Sequence, residues 1–180
     1  MPAPDVYRPD EWHDFFLTVG GAAAVLTGLV FVAMSINLND VTRDSTHRFR
    51  AIGTLTGFIS VFVICSLALM GGQGHVALGV EWVTVATIAF GVYIYGYVQA
   101  IRTGESNVGL RVPRLASGTA LYIAEIAGAT ALIAGRVAGL YVAAVAMLIL
   151  LVWMISGAWL LIVGVSTDAS EREETRVRAP

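Results

Sequence analysis

Charged residues fall along this chain in clumps, and the intervals between the clumps are long. Phe15 to Leu38, Ala51 to Met70, Trp82 to Ile101 and Leu140 to Val165 carry no charge at all, and Leu115 to Gly135 carries one, Glu125. Apolar runs of about 20 residues, rising about 1.5 Å each as helix, match the roughly 30 Å of hydrocarbon in a bilayer. The pattern therefore predicts an all-α membrane protein with five transmembrane helices, at about 15–38, 51–70, 82–101, 115–135 and 140–165. Polar punctuation agrees with these bounds. Asp10, Glu11 and Asp14 after Pro9 suit an acidic first turn, Asp44 and Ser45 can cap the second helix, Gly71-Gly72 ends it, and Pro113 fits the first turn of the fourth. Residues 166–180 read as a charged, disordered tail.

The loops set an orientation. Nine of the eleven arginines lie in the segment between the first and second helices (Arg43, Arg48, Arg50), that between the third and fourth (Arg102, Arg111, Arg114), and the tail (Arg172, Arg176, Arg178). With five spans these segments share one side, leaving Arg8 and Arg136 opposite. The excess of basic residues on cytoplasmic loops predicts an extracytoplasmic segment 1–14 and a cytoplasmic tail 166–180. Trp12, Phe15, Trp82 and Tyr141 are then expected at the outer interface, and Tyr97 and Trp159 at the inner one. Trp153 falls nearer the middle of its helix, where its indole N–H needs an acceptor from the protein.

Composition narrows the function classes. Of 180 residues 57% are apolar and 13% charged, about half the share usual in a soluble domain. All the cations are arginine, dispersed rather than gathered on one face, which does not suit nucleic-acid binding. The acidic first fourteen residues and the length of the first apolar run do not suit a cleavable signal peptide. Cys65 is the one cysteine and reads as a small buried hydrophobe, and three scattered histidines, His75 in a loop among them, give no metal-ligand spacing. No catalytic or nucleotide-binding motif is present and no span holds a histidine or aspartate, so no enzyme activity, cofactor or metal is expected.

Small residues mark where helices can approach: Gly20, Ala24 and Gly28 on the first, Gly53 and Gly57 on the second, Ala124 and Gly128 with Ala116 and Ala120 on the fourth. Packing within the bundle and packing between copies both remain open for these faces. Tyr93, Tyr95 and Tyr97 alternate and are expected to spread over two faces. Ser35, Asn37 and Asn39 form an inner polar rim, by capping or as a pore mouth.

Glu125 is the residue that most needs a reason. About ten residues of helix on either side place it roughly 15 Å from each end, near the midplane, where a charge costs about 2.5–3.5 kcal/mol even on lenient insertion scales. No cation shares its depth in any span. It can be protonated and hydrogen-bonded to Tyr122, Thr27, Ser60 or Thr87; it can face water; or it can gather with copies of itself at an oligomer axis. The corresponding roles are structural glue, handling of protons or cations, and contact with lipid or a small ligand. Glu81, by contrast, belongs at the outer edge, where Arg136 can pair with it.

The run Trp12-His13-Asp14-Phe15-Phe16, continuing through Gly20-Gly21-Ala22-Ala23-Ala24-Val25-Leu26-Thr27-Gly28 to Leu38, resembles the first helix of a widespread group of uncharacterised bacterial membrane proteins. The resemblance covers roughly the first third of the chain, implies a bacterial cytoplasmic membrane, and brings no activity with it. The expectation is a homo-oligomeric channel-like protein that translocates protons or monovalent cations, with membrane lipid and copies of itself as partners. The alternative is an accessory or assembly subunit within a larger membrane complex.

Overall fold

A computed structural model describes residues 6–36, 45–102 and 108–178, and over these the regular structure is entirely helical. The helices are α1 (Pro9–Ile36), α2 (Ser45–Ala68), α3 (His75–Arg102), α4 (Val108–Ile133) and α5 (Val137–Arg178). Each contains a stretch long and apolar enough to cross a membrane: Pro9–Ile36, Ala51–Ala68, His75–Gln99, Pro113–Ile133 and Val137–Trp159. Helices adjacent in sequence pack side by side, and α5 closes the ring by packing on α2 and touching α1.

The helices outrun the apolar windows. Exclusion of charge marks what lies in hydrocarbon, whereas helix persists until its end groups find caps. Thus α3 begins seven residues before Trp82, and α4 begins at Val108, which leaves Pro113 inside the helix rather than in its first turn. The segment read as a disordered tail is helical to Arg178, some 19 residues and about 28 Å beyond Trp159. Its sequence sets Asp168 four residues before Arg172 and Glu174 four before Arg178, the order that favours helix.

The tightest connection joins α4 to α5. Gly135 adopts φ 74°, its N–H donates to the Leu132 carbonyl and that of Arg136 to the Ala131 carbonyl, the double closure of a Schellman motif. The hairpin is zipped beyond the turn by glycines: a Cβ on Gly128 would stand 2.5 Å from the Ala143 nitrogen and 2.8 Å from the Gly139 carbonyl. Elsewhere a Cβ on Gly20 would meet the Cys65 side chain at 2.8 Å, and Gly57 lies against the sulfur of Met154. The remaining small residues turn away. Ala24, Ala116 and Ala120 are exposed, nothing stands within 4 Å of a Cβ on Gly28 or Gly53, and Ala124 is half-buried. The periodic ridges expected on α1, α2 and α4 thus each reduce to single contacts.

Gly128→Ala forces backbone apart from backbone and is expected to destabilise the bundle by about 1–3 kcal/mol, as overpacking does. Gly28→Ala, into open space, leaves the unfolding midpoint in mixed detergent micelles unchanged or slightly raised.

Candidate functional site

On α4 the buried positions Gly118, Tyr122, Glu125, Ala129 and Leu132 recur at helical spacing, so Glu125 lies on the face that enters the bundle. It is 2% exposed within a single chain. That burial removes the arrangement in which copies of Glu125 meet at an oligomer axis. The polar partner comes from α3: Trp82 Nε1 donates to Glu125 Oε1 at 2.8 Å, with Trp82 wholly buried.

None of the hydroxyls proposed from sequence is hydrogen-bonded to this carboxyl. Thr27 donates to the Ala23 carbonyl and Ser60 to the Gly57 carbonyl, each satisfied by its own helix. Thr87 is exposed on the far side of α3. Tyr122, one turn from Glu125, packs against Phe90 and Tyr93 with ring centroids 5.5 Å away in both cases. The apolar window that begins at Trp82 places it in the interfacial belt. The earlier start of α3 places it two turns inside the helix, and an indole N–H at that depth needs an acceptor.

The pair lies in a file of aromatic rings. Tyr97 and Tyr93, four residues apart and therefore on one face, have centroids 4.9 Å apart, and Tyr93 leads to Tyr122. Only Tyr95 of the three points outward. On the other side of Glu125 the Trp82 ring meets Phe16 edge-on at 6.0 Å, and Phe16 meets Tyr7 at 6.5 Å. Tyr7, 2% exposed, donates its hydroxyl to the Ala68 carbonyl at 2.8 Å, which straps the segment before α1 across the end of α2. Trp12 extends the cluster to Tyr141 of α5, with centroids 4.9 Å apart.

The other assigned residues sit apart from this interior. Glu81 and Arg136 do not pair: Gln73 Nε2 donates to Glu81 Oε2 at 2.9 Å, and Arg136 is exposed. Ser35 donates to the Phe31 carbonyl on its own helix, while Asn37 and Asn39 lie outside the described residues. Trp153 is covered by the guanidinium of Arg114, whose carbon lies 4.8 Å from the ring centroid. Among the described residues no three histidine, cysteine or acidic side chains converge on a point where a metal could be held.

Two measurements probe this interior. Glu125→Leu strands the indole N–H and is expected to cost about 1–3 kcal/mol, whereas Glu125→Gln keeps an acceptor and stays near wild type. In a double-mutant cycle, adding Trp82→Phe to Glu125→Leu costs less than Trp82→Phe alone. Tyr7 gives the pH signature. Burial pushes its phenol up to about 12 from 10.0, so the folded chain keeps a proton that the unfolded chain releases. Tyr7's contribution is full below about pH 10 and falls as pH rises toward 12, and Tyr7→Phe is expected to lessen the alkaline loss of stability while costing about 1 kcal/mol at neutral pH.

No protein-family model matches the chain, and no match was found among curated proteins or solved structures.

Proposed function

We propose that this is a multi-pass protein of a bacterial cytoplasmic membrane that moves protons or monovalent cations by way of Glu125, working as an assembly of identical copies. The observation that carries the reading is the nature of the partner. An indole N–H only donates, so it can hold a carboxyl oxygen whether the group is ionised or protonated. An arginine in its place would pin the ionised form. The site therefore keeps its geometry through a protonation cycle, as a translocating carboxyl must. Each copy holds its own Glu125, buried in its own bundle.

Assembly of copies is supported by Ala24 and Gly28 of α1, which are exposed, and by Gly53 of α2, where no described residue lies within 4 Å of an added Cβ. The excess of arginine on one side supports an N-terminus outside and a C-terminus in the cytoplasm. The resemblance of the first helix supports a bacterial membrane. A second reading, an accessory subunit of a larger membrane complex, is favoured by the helical extension of α5 past its span, which offers a projecting docking element.

Liposomes loaded with a pH-sensitive dye separate these readings. The wild type is expected to pass protons or monovalent cations under a gradient, and Glu125→Gln to lose most of that flux. Equal flux in both, or silence in both between about pH 5 and 8, rejects the translocation reading. Copurification of a monomer with a larger complex favours the accessory subunit.

A further inference from the structure

We infer that Arg114 is the centre of a binding seat for an anionic phosphate, presented by the headgroup of an anionic phospholipid at the arginine-rich end of the bundle. Arg114 stands at the start of the fourth span, one residue after Pro113. Its backbone is fixed from α3, where the Tyr93 hydroxyl donates to the Arg114 carbonyl at 3.0 Å while lying over Gly118. Its side chain does not spread outward along the helix. The guanidinium covers the ring of Trp153 on α5, and Nη2 occupies the space where a Cβ on Gly157 would stand, 2.5 Å away. The Thr54 hydroxyl of α2 lies 3.9 Å from the same point. Trp153 and Gly157 of α5 thus seat the cation while α3 fixes its backbone, and the lack of a side chain on Gly157 makes the room.

Gly157 lies one turn beyond Trp153, near the end of the fifth span as Arg114 is near the start of the fourth, so the guanidinium lies close to headgroup depth. Among the described residues, no carboxylate lies within ion-pair distance of it and no acceptor takes its N–H groups. Contact with an indole face engages the charge but leaves the in-plane donors unspent, five in a fixed fork. A fork of N–H donors, half-buried at the margin of the hydrocarbon, fits a tetrahedral anion with paired oxygens. The phosphodiester of an anionic lipid is an anion concentrated at that depth. The inference does not depend on how Glu125 functions.

The test is native mass spectrometry of the detergent-solubilised protein, titrated with phosphatidylglycerol, with phosphatidylcholine of the same chains, and separately with inorganic phosphate. Phosphatidylglycerol is expected to be retained with a preference of roughly fivefold over phosphatidylcholine, the factor one arginine gives at an anionic surface. Arg114→Gln is expected to abolish the preference. Gly157→Ala retains the charge and favours helix but displaces the guanidinium, and is expected to reduce it; its intact fold, checked by circular dichroism, guards against misreading a collapsed variant. Arg114-dependent binding of inorganic phosphate, competing with the lipid, assigns the seat to phosphate from either source. Equal retention of both lipids, or a preference that survives Arg114→Gln, overturns the inference.

Discussion

The interior of this bundle is organised around a hydrogen bond that must not be lost. A carboxyl buried near the centre of an apolar helix depends on its protein partner, and the indole that reaches it is equally dependent. Neither α3 nor α4 can rotate or slide without stranding both groups. Close packing on either side of the pair enforces this register. Towards one end a Cβ on Gly79 would come 3.1 Å from the Ala129 carbonyl, so the two backbones approach there, one turn from Trp82 and one turn from Glu125. Towards the other, Tyr93 lies in the gap left by Gly118 and donates to the Arg114 carbonyl. The pair thus sits between two points at which the helices cannot shift.

The same constraint reaches α1 and the segment before it. Trp82 needs a cover that is apolar and large, and Phe16 supplies it edge-on. Phe16 is in turn covered by Tyr7, whose hydroxyl spends its proton on a carbonyl at the end of α2, where the helix has no further N–H to offer. A chain of dependence thus runs from the middle of the bundle to its edge, each ring excluding water from the one beneath.

Much of this was legible in the sequence, and the part that was not has a common cause. Exclusion of charge from long windows reports helix number and approximate position, because hydrocarbon penalises charge wherever it is placed. Glu125 announced itself for the same reason. Its partner did not, because the choice among Trp82, Thr27, Ser60 and Thr87 depends on where each helix begins and how it is rotated. Caps and packing decide those, and windows do not. The depth of Trp82 was recoverable only from the extra turns of α3 ahead of it. Small residues were legible as opportunities and not as contacts: Gly57 receives Met154 while Gly53, on the same motif, faces open space. Hydroxyls were misleading in a further way, since Thr27 and Ser60 can satisfy themselves on the preceding turn of their own helix.

The α4–α5 hairpin bears on how such a chain enters the bilayer in the first place. Of the five spans the fourth is the least apolar and the fifth the most. A helix carrying Glu125 is a poor candidate for leaving the translocation machinery by itself. Its successor is an excellent one, and the turn between them is only three residues long, closed by Gly135 and zipped through Gly128 and Gly139. Partitioned as one unit, the strongly apolar partner carries the reluctant one into lipid while shielding part of its surface. In biogenesis, the glycines of this hairpin would let the protein keep an acid where membranes select against one.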